Sequence, residues 1–119
     1  MNILAIGAHP DDLEILCGGT LAKYSKIGHK VFMAHLCNGD KGGKDITPSE
    51  LAKIRNEEAK KAGSLINAEV LGPIASDLEL YNTKEMREKV VDIIRYVKPD
   101  IIITHSPEDY MPDHIITSQ

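Results

Sequence analysis

Two short stretches of this sequence contain the residue types of a catalytic metal site. The first, HPDDLE, begins at His9, and the second, HSPEDYMPDH, ends at His114. A catalytic zinc ion takes three protein ligands with nitrogen, oxygen or sulfur donors and leaves its fourth position to water. His9 and Asp12 are three residues apart at a predicted helix start, so both can turn toward one ion, and His114 could supply the third ligand. Asp11 would then stand beside the ion, free to take a proton from the attacking water.

The first stretch also has a simpler interpretation as an ordinary helix start. Proline and acidic residues are favoured at a helix N-terminus, where each carboxylate gains about 0.3 to 1 kcal/mol from the helix dipole. That would account for Pro10, Asp11, Asp12 and Glu14, but not for His9, which is disfavoured there when protonated. The residues alone favour the metal site and leave both interpretations open.

The elements around these stretches predict an α/β fold. Short apolar runs alternate with longer amphipathic runs, which is typical of βαβ units around a mostly parallel sheet, and the length suits one domain, residues 1–119. We predict strands at 2–7, 30–37, 68–71 and 100–104, helices at 11–28, 47–66 and 83–97, and a last helix that begins at His114. The two chemical stretches follow the first and fourth strands. Since ligands bind outside the carboxyl ends of parallel strands, we expect the stretches to meet.

The predicted helix 47–66 starts with a capping signal, TPSE, and carries Arg55 and Glu58 inside its apolar stripe. The stripe on a helical wheel is formed by Leu51, Ile54, Ala59, Ala62 and Leu65. Polar groups in such a stripe need a partner. Arg55 either pairs with Glu58 across one helical turn or lies at the mouth of the active site, and the sequence leaves both open.

Composition excludes several classes of protein. A net charge of −4 and an aromatic content of 4% argue against binding to nucleic acid or to anionic membranes. No apolar run approaches the roughly 20 residues of a membrane span, so we expect a cytoplasmic protein. The two cysteines, Cys17 and Cys37, lack the spacing of a structural zinc site and are expected to be reduced core thiols.

Three motifs resemble those of the LmbE-like (PIG-L) N-acetylglucosaminyl deacetylase family. They are AHPDDLE at 8–14 followed by GGTL at 18–21, RNEEA at 55–59, and DYMPDH at 109–114. They occur in the family's order and span nearly the whole chain. The chain is therefore identified as similar to the N-terminal part of this family.

The resemblance implies a Rossmann-like, three-layer α/β/α fold and a Zn²⁺ cofactor held by His9, Asp12 and His114, with Asp11 as the general base. The implied reaction is hydrolysis of the acetamide of an N-acetylated amino sugar, a small-molecule substrate or glycoconjugate. Asp113 would orient a ligand by a hydrogen bond, although a plain helix-start acid explains it equally well. The substrate itself and the oligomeric state, including a homo-oligomer, stay open.

One position departs from the family pattern. The family's second motif usually reads His-Pro-Asp-His, and its first histidine helps to stabilise the oxyanion; here that position is Met111. A thioether cannot donate a hydrogen bond, and loss of one oxyanion donor costs about 10² to 10³ in rate. Tyr110 and His105 are neighbours that could substitute, although an ordinary surface or core position is the better explanation of His105.

Two alternative functions remain. Met111 and the early end of the chain suggest a metal-binding but catalytically impaired module, and Ile115 and Ile116 start an apolar face with almost nothing after it to pack, which predicts a fragment. A nucleotide-binding Rossmann domain is disfavoured because His9 and its neighbours occupy the turn where a phosphate needs glycines. The glycine-rich loop at 38–44 lacks a phosphate-binding fingerprint and is expected to form a rim of the site.

Overall fold

A computed structural model describes residues 1–41 and 46–119 of the chain. Within them, strands and helices alternate as the sequence predicts. In chain order these elements are β1 (Asn2–Gly7), α1 (Asp12–Lys26), β2 (Lys30–His35), α2 (Pro48–Leu65), β3 (Glu69–Leu71), α3 (Lys84–Val97), β4 (Ile101–Thr104) and α4 (Pro112–Ser118). The part of the glycine-rich loop at 42–44 lies outside the described residues.

The strands form one parallel sheet in the order β3-β2-β1-β4. The chain moves outward from β1 through β2 to β3 and then returns to pair β4 with the other side of β1. Such a reversal of strand order is the place where α/β sheets bind ligands, because the connections on its two sides leave toward opposite faces. The loops after β1 and β4 lie next to each other at this switch point, as predicted.

Two apolar layers cover the sheet and confirm the three-layer α/β/α architecture. Alternate residues of each strand point to opposite faces. The α1 and α2 side contains Ile3, Ala5, Leu13, Leu21, Val31 and Met33. The α3 and α4 side contains Leu4, Ile6, Phe32, Ala34, Leu36 and Val97. The sheet is thus a rigid base beneath the loops that follow β1 and β4.

The helix N-termini follow local signals at two of the predicted positions. Thr47 caps α2 by accepting a hydrogen bond from the Glu50 N–H at 3.4 Å, and Thr83 caps α3 by accepting from the Met86 N–H at 3.2 Å. The last helix was predicted to begin at His114, which is wrong by two residues, because Pro112 occupies its first position. Ile116 of that helix packs against the α3-side core, so this part of its apolar face is covered.

The predicted apolar stripe of α2 is only partly correct. Leu51, Ala59 and Gly63 are buried, whereas Leu65 is 83% exposed and Ile54 is 39% exposed. The small residues Ala59 and Gly63 let α2 lie close to the sheet, and this moves the buried face away from Leu65.

Two further observations bear on the sequence predictions. No helix within residues 1–41 and 46–119 is long and apolar enough to cross a membrane. Cys37 is buried and Cys17 is partly exposed, and both are free thiols.

Candidate metal centre

Three predicted ligands converge at the switch point. The Asp12 Oδ2 atom lies 3.3 Å from His9 Nδ1 and 3.1 Å from His114 Nε2, and the ligand atoms of the three residues all lie within 4.8 Å of one another. Around a tetrahedral zinc ion with bonds of about 2.0 to 2.2 Å, two ligand atoms are about 3.3 to 3.6 Å apart. Two imidazole nitrogens and a carboxylate oxygen at such spacing fit a catalytic zinc site.

Each histidine also contacts a carboxylate through its other ring nitrogen. His9 Nε2 lies 2.9 Å from Asp113 Oδ2, and His114 Nδ1 lies 3.1 Å from Asp109 Oδ2. Such outer carboxylates fix the tautomer and orientation of a metal-binding imidazole. They leave His9 Nδ1 and His114 Nε2 facing Asp12. Asp113 thus lies against the ring of His9, and Asp109 has the same position toward His114.

Asp113 is held firmly in this arrangement. It is 1% exposed, and its Oδ2 atom also accepts a hydrogen bond of 2.8 Å from the backbone N–H of Leu78. Leu78 has a φ of 60°, a left-handed conformation that costs free energy in a residue with a branched side chain. The connection between β3 and α3 is therefore strained at the point where it supports the site.

Asp77 is a site residue that the sequence analysis missed. It is 8% exposed, and its Oδ1 atom lies 3.9 Å from His9 Nε2. Its carboxylate accepts the backbone N–H groups of Gly39 at 2.9 Å and Lys41 at 3.3 Å. The loop amides that could cradle an anion thus bind a carboxylate of the protein itself. No sequence signal marks Asp77, because it lies in an aperiodic connection far from the motifs.

The buried charges alter the protonation of the cluster. The hydrogen bond to Asp12 raises the pKa of His9 to about 9; burial opposes this rise, and Asp113 and Asp77 support it. Burial disfavours a charged Asp12, but hydrogen bonds from the ring and backbone of His9 outweigh it and lower the pKa of Asp12. Without a metal, the cluster therefore holds a proton near neutral pH.

Asp11 lies in an open cleft beside the ligands. The cleft has a volume of about 470 Å³ and is lined by His9, Pro10, Asp11, Gly39, Lys41, Arg55, Asp77, Leu78 and Met111. Asp11 occupies the N-cap position of α1, yet among the described residues its side chain makes no capping hydrogen bond. The Asp11 side chain therefore does not serve as a cap and is exposed in the cleft, although its charge still interacts favourably with the helix dipole.

Arg55 combines both roles that the sequence left open. Its Nη1 atom is 3.1 Å from Glu58 Oε2, an ion pair across one helical turn, and the same side chain lines the cleft. It also lies directly over Gly39, where an added Cβ would stand 2.9 Å from Arg55 Cγ. Gly39 has a φ of +76°, so both its conformation and this close approach require glycine.

The candidates for the missing oxyanion donor occupy different positions. Met111 is half-buried and lines the cleft, where the family pattern has histidine. Tyr110 is 89% exposed and meets the His114 ring edge-on at a centroid distance of 6.1 Å, outside the cleft lining. His105 stacks on the His114 ring at 4.1 Å and is likewise not part of that lining. Neither neighbour takes the position of the family histidine.

A further histidine, His35, ends β2 and is buried in the core. The residue is 3% exposed, but within the described part of the chain neither ring nitrogen has a hydrogen-bond partner. Its nearest acidic neighbour is Glu14, with Nε2 and Oε1 3.4 Å apart.

A parallel sheet with a histidine and carboxylate cluster at its switch point defines a Rossmann-like α/β protein with a candidate metal centre. The sequence model of the GlcNAc-PI de-N-acetylase (PIG-L) family matches residues 4–119. The chain belongs to this family, as its three motifs indicated.

Relatives with known functions include deacetylases and a hydratase. Diacetylchitobiose deacetylase of Thermococcus kodakarensis is 33% identical over 95% of this chain and 45% of its own length. The structure of N,N'-diacetylchitobiose deacetylase from Pyrococcus horikoshii matches with a TM-score of 0.90 and 30% identity, over 97% of this chain and 45% of that one. GalB, a 4-carboxy-2-hydroxymuconate hydratase from Pseudomonas putida, matches with a TM-score of 0.89 and 25% identity, over 99% and 53%. The chain spans about half the length of these relatives.

Proposed function

We propose that this protein is a zinc-dependent deacetylase that hydrolyses the acetamide of an N-acetylglucosamine-containing small molecule or glycoconjugate. The observation that carries this proposal is the convergence of His9, Asp12 and His114 beside a cleft that contains Asp11. The deacetylases among the relatives support the same reaction class.

The residues of the cleft divide the chemistry between them. A zinc ion held by His9, Asp12 and His114 would polarise the amide carbonyl and make water a stronger nucleophile at neutral pH. Asp11 takes the proton of the attacking water and delivers it to the departing amine. Acetate and a free amine are the products. Arg55 and Lys41 stand on the cleft wall, where they can donate hydrogen bonds to sugar hydroxyl groups.

The hydratase relative makes the choice of assay important. GalB shares the fold as closely as the diacetylchitobiose deacetylase does, so the fold does not separate amide hydrolysis from hydration. The test is release of acetate from a panel of N-acetylglucosamine derivatives by the zinc-loaded protein, with the Asp11→Asn variant as the control. Acetate release that requires Asp11 is expected. Tight zinc binding with no acetate release across a broad panel would contradict the proposed deacetylase.

Met111 supports a second candidate, a zinc-binding module that is catalytically impaired. A thioether lines the cleft at the position where the family has a histidine donor. The Met111→His variant separates the two functions. If the protein is a slow deacetylase, the variant gains about 10² to 10³ in rate. If the protein is a non-catalytic module, zinc binds and the substitution restores no hydrolysis.

A further inference from the structure

His105 lies next to the candidate metal centre and makes contacts there that no sequence pattern indicates. The residue directly follows β4, and its side chain is 5% exposed. The cleft lining does not include it, so it is not placed to contact a substrate in that cleft. Its contacts are instead with the backbone beside one proposed ligand and with the ring of another.

The first contact joins β4 to the segment that carries His9. Backbone pairing of β1 with β4 ends at Ile6 and Thr104. Past that point the connections diverge toward opposite faces, and side chains hold the two strand ends together. Thr104 Oγ1 donates a hydrogen bond to the Ile6 carbonyl at 2.8 Å. His105 Nε2 accepts a hydrogen bond from the buried Ala8 N–H at 3.0 Å. Since Ala8 immediately precedes His9, this bond fixes the backbone of a ligand.

The second contact fixes the ring of His114. The rings of His105 and His114 stack with a centroid distance of 4.1 Å and an interplanar angle of 8°. At the edge of the same ring, His114 Nδ1 lies 3.1 Å from Asp109 Oδ2. The stack sets the plane of the imidazole, and the carboxylate sets its rotation within that plane. Both are needed to aim His114 Nε2 at the ion.

His105 Nε2 is also 3.5 Å from Asp12 Oδ2, but the bond to Ala8 is the one that its lone pair makes. The Ala8 contact is shorter and comes from a backbone N–H, which is a donor in every protonation state. A ring nitrogen that accepts this bond carries no proton to donate to a developing oxyanion. The proton of the neutral ring is then on Nδ1, and the ring lies outside the cleft lining that contains Met111, so His105 does not take the position of the family histidine.

We propose that His105 is a positioning residue that holds both histidine ligands, His9 through the Ala8 backbone and His114 through ring stacking. The inference rests on the metal site proposed above. It explains why a histidine is useful here: an imidazole offers a flat face and a ring acceptor together. Phenylalanine supplies only the face, and glutamine supplies only the acceptor.

Three variants of His105 test the proposal through metal binding alone. His105→Ala removes both contacts, His105→Phe retains the stack, and His105→Gln retains an acceptor for the Ala8 N–H. Zinc affinity is measured by competition with a chelator, and the visible absorption of the Co²⁺-loaded protein reports the ligand geometry. Loss of both contacts is expected to weaken zinc binding about 10- to 100-fold and to shift the cobalt spectrum. The Phe and Gln variants should each lose less than the Ala variant.

The control separates positioning from ordinary core packing. Leu21→Ala opens a cavity in the core between α1 and the sheet, away from the proposed ligands. It should lower the Tm of the metal-free protein and leave zinc affinity unchanged. If the His105 variants lower only the Tm and keep wild-type zinc affinity and cobalt spectrum, the inference is wrong. Should His105→Ala not fold, wild-type affinity in both the Phe and Gln variants overturns it equally. A wild-type protein that binds no zinc would overturn the proposed function together with this inference.

Discussion

Two neighbouring strands each lead to a histidine that lies beside a carboxylate at the same end of the sheet, yet only one of these histidines belongs to an open site. Beyond β1, His9 lies within 3.3 Å of both Asp12 and Asp113. At the end of β2, His35 lies 3.4 Å from Glu14, and within the described residues none of the four polar side-chain atoms of this pair has a hydrogen-bond partner. Similar residue types in similar places form a candidate metal centre in one case and a buried pair in the other.

The topology explains the difference. The connections after β1 and β4 leave toward opposite faces, which opens a crevice over His9. The segments after β1 and β2 instead run on side by side, since the Leu36 N–H donates to the Gly7 carbonyl at 3.0 Å. Both following helices cover one face, and His35 is enclosed between them and the sheet. A histidine and an acid make a site only where the fold leaves room for a ligand.

The largest expected effect is the loss of metal from a ligand variant. His9→Ala should abolish stoichiometric zinc binding, because it removes one of the three proposed protein ligands. The matched variant His35→Ala should bind zinc normally, since His35 is not one of the three. Elemental analysis after dialysis measures both. Equal zinc content in the two variants would contradict the assignment of the metal site to the His9 region.

The next largest expected effect is a fall in the catalytic rate while zinc stays bound. Asp11→Asn keeps the shape of the side chain but cannot accept a proton, so the rate of acetate release should fall about 10²- to 10⁴-fold with zinc still bound. Asp92→Asn, an exposed position on α3, is the control and should retain the wild-type rate. A variant of Asp11 that is as active as this control would exclude Asp11 as the base.

The protonation of His9 predicts a pH dependence of zinc affinity. Zinc needs an unprotonated imidazole, and the hydrogen bond to Asp12 raises the pKa of metal-free His9 to about 9. Affinity should therefore rise about tenfold per pH unit from pH 7 toward 9 and then level off. The stability of the metal-free protein should change in the opposite direction and fall as the pH rises. Protonated His9 stabilises the fold fully below the pKa of the unfolded state, and this contribution is lost as the pH rises through about 9. Chelator competition measures the first effect; an affinity that is flat with pH would contradict it.

The smallest effect concerns the buried pair. His35→Leu leaves the Glu14 carboxylate without its neighbour and should cost about 1 to 3 kcal/mol in the free energy of unfolding. The double variant with Glu14→Leu removes both polar groups and should recover much of this loss. Urea unfolding of the single and double variants measures the coupling. Strictly additive losses would show that the two side chains do not interact.

Local signals account for what the sequence predicted well. The apolar run of β1 and the Thr47 cap of α2 are set by neighbouring residues, so both matched the structure. The loops that carry His9 and His114 were found because parallel strands bring their carboxyl ends to one edge. The placement of these proposed ligands follows from the order of the elements rather than from details of packing.

Tertiary contacts account for what the sequence could not predict. Asp77 lies in a connection with no periodic pattern and reaches the site only through the amides of Gly39 and Lys41. The exposure of Leu65 depends on how closely α2 approaches the sheet at Gly63. His105 could be placed at the end of a strand, but its stacking on His114 depends on where α4 begins.

X-ray absorption at the zinc edge tests the central claim most directly. For the zinc-loaded protein we expect one ion per chain, bound by two imidazole nitrogens and a carboxylate oxygen at about 2.0 to 2.2 Å. The sulfur of Cys37 is a competing donor, because it lies within 4.8 Å of possible ligand atoms of His9 and Asp77. A sulfur neighbour at about 2.3 Å, or no ordered ion at all, would contradict the account.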